Sequence, residues 1–470
     1  MNGTDRTIAQ LLASFACSEL DPVQGEAIAR DVARRVRDVV GNGLAAALSE
    51  PATVIGKLLA ESGGFEQCGL IGRPGRHPAA LAALFNGTIA HALDFDDTHL
   101  PSVLHPSASV IPAALAAAEA AGADGATFIR AVAVGDEIAI RLGMAGYDPQ
   151  ARDSVYFEKG LHATSICGTV GAAAAAGVLY GLDEEALMHA LTISASLGAG
   201  LIEANRTGGS VKRIHCGWAA HAGISAAQMA HAGLTGPPTA FEGRFGFLRA
   251  FLDDRADVGT ITESLGVRWE LLKVFFKPYP TNHFTQAGVD AALELRRRGV
   301  DAGSVAAVEL AVPRNVLRTI AEPAAEKAAP PNGYTARFSG PFTFATALLG
   351  GGGLGVYLDD FTDALVRDPQ RLALAALVRC VADAECDAIF PFEFPAIARV
   401  RTRSGDDIEI KVLHNRGGQG NPLSDDELRT KFTLNAQRLL SPDRVSELDA
   451  ALSRVSRLDD LTELLALVVP

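Results

Sequence analysis

No CxxC pair occurs in the sequence, and its six cysteines, Cys17, Cys68, Cys167, Cys216, Cys380 and Cys386, are scattered. Neither a disulfide framework nor a zinc cage is therefore expected, and the thiols read as reduced and mostly buried. Aromatic residues are scarce, at 6%, whereas Ala172–Ala176 is pure alanine, which favours closely packed helices over an all-β architecture. No uninterrupted apolar run reaches the ~20 residues needed to cross a bilayer. The opening MNGTDRTIAQ lacks the basic-then-apolar order of a signal peptide, so a cytoplasmic protein is expected. There is no strand–GxGxxG–helix unit with an acid downstream. The run GGGGLG, Gly350 to Gly355, lacks the Lys-Ser/Thr ending and preceding strand of a phosphate loop and reads as a flexible connection. No cofactor is expected. Basic residues are outnumbered, giving a formal charge of −13, and the average field repels nucleic acid and anionic membranes as partners.

Local charge differs from the average. From Asn205 to Phe241 there is no Asp or Glu, while Arg206, Lys212, Arg213 and several histidines fall within the stretch. A basic island in an acidic chain is what a site for small carboxylates needs.

At 470 residues, 48% of them hydrophobic, the chain exceeds the size at which a single core keeps growing, so two domains are expected. Residues up to about 265 read as successive helices, among them TIAQLLASFACSEL, VQGEAIARDVARRVRDVVGNGLAAAL and DEEALMHALTISASLG, with Gly41, Gly181 and Gly233 where helices can stop. After Trp269 the pattern changes. VAAVELAVPR and AIARVRTRSGDDIEIKVL alternate as strands, the second with a hairpin turn at Ser-Gly-Asp-Asp, and DAALELRRRG is helical. From Asn421, NPLSDDELRTKFTLNAQRLL returns to helix behind a Ser cap and an acidic first turn.

Chemistry concentrates in Asn86 to Ser107, NGTIAHALDFDDTHLPSVLHPS, which gathers His91, Asp94, Asp96, Asp97, Thr98, His99 and His105 between two alanine-rich helical runs. It falls at a helix end, a loop and the next helix start, where Pro106 suits a first helical position and free N–H groups favour anions. Three further segments supply basic or proton-transfer groups: His162; Lys212 with Arg213 and His215; and Lys277 with Tyr279 and His283. Taken alone, a histidine on an alanine-rich helix is more often a satisfied core or surface group than a catalyst, a lysine is usually solvated, and Tyr279-Pro280 reads as a rigid turn. A metal set from His91, Asp94, Asp96 and His99 is conceivable, but adjacent Asp96 and Asp97 diverge on either helix or strand, and no metal is expected.

HALDFDDTH followed closely by HPS resembles the signature of the MmgE/PrpD family, whose members include 2-methylcitrate dehydratase, cis-aconitate decarboxylase and iminodisuccinate epimerase. KGLHATSICGTVGAAAAAG, SVKRIHCGWAAHAG, FKPYPTNHFTQAGVDAA, YTARFSGPF and NPLSDDELRTKF resemble further family blocks in the family's order. The resemblance implies a mainly α fold: a large all-helical domain from both chain ends, 1–265 and 413–470, and a smaller α+β lid domain, 266–412. It implies a metal-free cleft lined by Asp94, Thr98, His105, His162, Lys212 and Lys277, and a homodimer built through the helical domain. Removing a proton α to a carboxylate builds two negative charges on one group, which preorganised cations must meet. Lys212 and Lys277 suit that role, His105 or His162 suits general base and acid, and Asp94 orients a His or acts as base. Arg213 and His283 are candidate substrate contacts beside Thr98. One position departs: Phe342 stands where decarboxylase and dehydratase members carry a Tyr after ARFS, and Tyr334 is the candidate substitute.

The leading expectation is a hydro-lyase, 2-methylcitrate dehydratase-like, acting on a small di- or tricarboxylate by α-proton abstraction. Epimerisation or decarboxylation of a related acid is the alternative. The reading from another class is a catalytically silent helical binding protein.

Overall fold

Thr7 opens the first described helix with a reciprocal capping box: its side chain accepts from the Gln10 N–H, and the Gln10 side chain accepts from the Thr7 N–H. The computed structural model describes residues 6–204 and 209–470, and the chain divides into two compact units, Met1–Val274 with Phe432–Pro470, and Phe275–Lys431.

The first unit is a stack of helices: α1 (Ile8–Cys17), α2 (Pro22–Ala46), α3 (Glu50–Ser62), α4 (Ala79–His91), α5 (Ser107–Ala121), α6 (Gly125–Met144), α7 (Val155–Glu158), α8 (Ala163–Leu179), α9 (Glu184–Ala195) and α10 (His215–His231). Every residue of α8 is buried, and α5, α6, α9 and α10 surround it. Its alanines and glycines make that possible, because small side chains let backbones approach closely. A Cβ on Gly171 would meet the Gly135 carbonyl of α6, and one on Gly217 of α10 would meet the Leu84 carbonyl and Thr88 hydroxyl of α4. Gly217→Ala is therefore expected to destabilise the fold by about 1–3 kcal/mol through overpacking; an unchanged urea midpoint would show that the helices separate at little cost.

The C-terminal segment completes this unit. Phe432 packs on Gly41, Asn435 donates to Asn42 at 3.0 Å, Arg37 pairs with Asp449 at 2.8 Å, and the Gly125 and Gly72 N–H groups donate to Leu458 and Val468. Gly41 thus serves close packing inside α2 rather than ending it, because a Cβ there would stand 3.1 Å from the Phe432 ring. Gly181 (φ +67°) and Gly233 (φ +94°) do lie past helix ends in the left-handed region. The helical half also holds two small antiparallel hairpins, β1 (Cys68–Leu70) with β2 (Arg73–His77) and β3 (Tyr147–Asp148) with β4 (Asp153–Ser154), too short for period-two alternation to register in the sequence. Among the described residues no single helix is long and apolar enough to cross a membrane.

The second unit carries a four-stranded sheet in the order β6-β5-β7-β8: β5 (Val305–Val312), β6 (Val378–Ala382), β7 (Ala396–Thr402) and β8 (Asp407–Val412). β5 and β6 are parallel, the other pairs antiparallel, with Leu310 opposite Ala398 and Ala398 opposite Ile410. The Ser-Gly-Asp-Asp stretch is the β7–β8 turn, with Gly405 at φ +97°. One sheet face is buried beneath α11 (Gln286–Arg297), whose Gly288 lets Leu310 come close. The other carries an exposed ladder in which Arg399 bridges Glu309 and Glu409. Gly350 to Gly355 leaves α12 (Gly340–Leu349) as a connection, pinned where Asp360 accepts from the Gly352 and Tyr357 N–H groups at 2.8 Å. The chain returns through α13 (Asp425–Ala436), where Ser424 and Glu427 form a reciprocal cap.

Candidate active site

The loop between α4 and α5 is folded over its polar side chains rather than solvated. His99 and Leu104 form an antiparallel bridge that closes it. Asp94 and Val103 sit at φ +54° and +52°, a conformation few non-glycine residues adopt and one that a β-branched Val adopts rarely. Such backbone persists where surrounding contacts impose it, and it concentrates at functional sites.

Asp96 and Asp97 face apart. Asp96 Oδ2 lies 2.7 Å from His91 Nδ1 and 3.7 Å from His105 Nδ1. Burial opposes a charge on His91, but Asp96 outweighs it, with Cys216 adding, so the imidazole pKa stands well above its usual value. His105 is set by the backbone: its Nδ1 lies 2.7 Å from the Asp97 carbonyl oxygen and 3.1 Å from the Thr98 hydroxyl. A carbonyl only accepts, so Nδ1 carries hydrogen and Nε2 is the basic atom of the ring. The His91 and His105 rings stand 5.2 Å apart, and His91 and His162 5.9 Å.

His162 precedes α8, and His215 opens α10; their Nδ1 atoms meet at 2.8 Å. Burial lowers both pKa values, and neighbouring basic groups disfavour a further proton in the same direction: His215, Lys212, His91 and His105 for His162, and His91 and Lys212 for His215, which falls to about 4. Both rings are therefore neutral near pH 7. Lys212, in the 3-10 turn before α10, brings its Nζ to 3.9 Å from Asp94 Oδ1. Asp94, Thr98, His105, His162 and Lys212 thus converge in the first unit, from three segments far apart in sequence, and all five are buried.

Arg213 points elsewhere, pairing with Glu50 of α3 at 3.1 Å. Arg206 lies outside the described residues. In the second unit Lys277 is fully buried, and its carbonyl accepts from Lys431 Nζ at 2.9 Å. The turn after it is rigid: Gln286 Nε2 donates to the Tyr279 and Thr281 carbonyls, and the Tyr279 hydroxyl donates to Asp290 at 2.6 Å and accepts from Arg416 at 2.9 Å. His283 packs against Phe284 and Phe394. Tyr334 is half-buried on Phe338. Phe342 is wholly buried near Phe361.

Sequence reasoning missed the layer behind the loop. Arg35 of α2, fully buried, donates to Asp97 at 2.8 Å, to Asp31 at 2.6 Å and to the Leu271 and Val274 carbonyls. Ser107 donates to Asp97 at 2.5 Å and lies 3.1 Å from Asp136. Burial pushes Asp97 up to about 6 against the pull of Arg35 and Ser107. Burial, with Asp97 adding, holds Asp136 well above the usual carboxylate range. A legible signal existed for Arg35: a charge on the apolar stripe of Ile28, Val32 and Val36, four residues from an acid.

Because the folded pKa of Asp136 exceeds the unfolded one, its contribution to stability is fully present below about pH 4 and is lost as pH rises through the folded value. Asp136→Asn removes that dependence. Relative to the parent, the variant is expected to gain stability as pH rises above about 4, read from urea unfolding at a series of pH values. A pH-independent difference would show that Asp136 is ionised in the fold.

The first unit thus buries imidazoles, a lysine and carboxylates around a loop with two left-handed non-glycine residues. The chain belongs to the MmgE/PrpD family: residues 6–258 match the model of the MmgE/PrpD N-terminal domain and residues 279–455 that of the C-terminal domain. It is similar to human cis-aconitate decarboxylase (30% identical, covering 84% of this chain and 80% of the relative) and to the cis-aconitate decarboxylase of Aspergillus terreus (26%; 85% and 83%). It is also similar to the cis-aconitate decarboxylase-like protein oryM of Aspergillus oryzae (25%; 100% and 99%).

Proposed function

We propose that this protein is a lyase acting on a small di- or tricarboxylate by proton transfer, with Asp94, His105, His162, Lys212 and Lys277 as its working groups and Thr98 as a substrate contact. The observation that carries the reading is the convergence of Lys212, Asp94, His105 and His162 in one buried cluster. Lys212 meets the negative charge that develops next to a carboxylate. His105, with Nδ1 tied to a carbonyl, presents Nε2 to take or return a proton, and Thr98 fixes the ring from its side.

The relatives favour decarboxylation of an unsaturated tricarboxylate of the cis-aconitate class, in which carbon dioxide leaves and a proton is delivered to carbon. Dehydration of a β-hydroxy acid is the second reading. It is favoured by the pairing of a proton-holding imidazole, His91 with Asp96, with the His105 ring 5.2 Å away: loss of water calls for a base at the α-carbon and an acid at the departing hydroxyl.

Proton NMR in deuterated water, with citrate, 2-methylcitrate, cis-aconitate and iminodisuccinate in turn, separates the chemistries. An alkene product with release of carbon dioxide from cis-aconitate is the expected outcome. A new alkene from a hydroxy acid without carbon dioxide establishes the dehydratase, and deuterium uptake with inversion an epimerase. Silence across the panel refutes the proposal for these acids and returns the chain to the binding-protein reading.

A further inference from the structure

We propose that His91, Asp96 and Cys216 form a binding site for a single zinc-class transition-metal ion, seated against the candidate active site. A ring nitrogen of His91, a carboxylate oxygen of Asp96 and the sulfur of Cys216 all lie within 4.8 Å of one another, and all three residues are buried. Imidazole, carboxylate and thiolate together match the ligand chemistry of Zn²⁺ and Co²⁺. With only one oxygen donor, the set is a poor match for Mg²⁺ or Ca²⁺.

The site is held by the fold, not by the loop alone. His91 is the last residue of α4 and Cys216 lies in the first turn of α10. These two helices cross in direct backbone contact at Gly87 and Gly217, so the nitrogen and sulfur donors sit on rigid elements locked together. Tetrahedral bonds of about 2.0–2.3 Å set neighbouring donors roughly 3.3–3.8 Å apart. His91 Nδ1 and Asp96 Oδ2 stand at 2.7 Å, a hydrogen-bond spacing, so they must open slightly as the ion enters. The proton they share and that of the thiol leave to solvent. Three protein donors leave a fourth position for water or a carboxylate oxygen. The sequence did not disclose the site because Cys216 is far from the other two and belongs to no metal motif.

Occupancy takes Asp96 away from His105, 3.7 Å from it, so the bound ion is expected to suppress turnover. The test is spectroscopic and stands independently of which acid the enzyme uses. Chelator-treated full-length protein is titrated with Co²⁺. The expected result is a thiolate-to-cobalt charge-transfer band saturating at one ion per chain and displaced by Zn²⁺. Cys216→Ala should abolish the band, while Cys17→Ala, which removes the exposed thiol, should leave it unchanged. His91→Gln, which spares the thiol, should weaken Co²⁺ binding by more than about tenfold. Absence of the band, or its survival in Cys216→Ala, overturns the proposal.

Discussion

Lys212→Met is expected to lower kcat by about 10²–10³-fold, the loss found when one preorganised donor to a developing oxyanion is removed. Lys212 Nζ stands 3.9 Å from Asp94 in the cluster, and methionine keeps the length and apolar stem of the side chain while deleting the charge. A second readout separates this role from a structural one. The Lys212 charge helps depress both His162 and His215, so the His215 ring, held down to about 4, should titrate at a higher pH in the variant by NMR. Unchanged turnover removes Lys212 from the proposed machinery. Lost turnover with an unmoved His215 titration would point to a disturbed fold.

Arg35→Met is expected to destabilise the protein by about 3–5 kcal/mol, because it strands Asp97, itself fully buried, without its counter-charge. Burial alone disfavours the Arg35 charge, but Asp31 and Asp97 outweigh that and hold its pKa above the usual value. Two backbone carbonyls, of Leu271 and Val274, lose their donor as well. The measurement is the urea midpoint together with the unfolding slope. Adding Asp97→Asn should recover part of the loss, since the amide needs no counter-charge, whereas no recovery would mean that the cost lies in packing around the guanidinium.

Much of this was legible in the sequence. Cap residues and apolar periodicity located α1, α9 and α13, and the alternation in VAAVELAV and AIARVRT located β5 and β7. The motif from His91 to His105 marked the loop because its polar residues are too dense for a solvated turn. What was not legible is long-range pairing. Nothing local says that His162 will meet His215, that Arg213 will turn to Glu50, or that Cys216 will stand beside His91. β6 escaped notice because a parallel strand of five residues carries little alternation. Gly41 read as a helix stop because sequence does not distinguish a glycine needed for φ > 0 from one needed to admit Phe432.

The helical unit closes with residues from both sides of a long excursion, and this has a temporal cost. While Phe275–Lys431 is being synthesised, about eight to thirty seconds at ~5–20 residues per second, the face of α2 around Gly41 and Asn42 waits for Phe432 and Asn435, and the start of α6 for Leu458. A nascent chain in that interval presents uncapped apolar surface, so the ribosome-bound stage, more than the finished protein, is where a chaperone has most to protect.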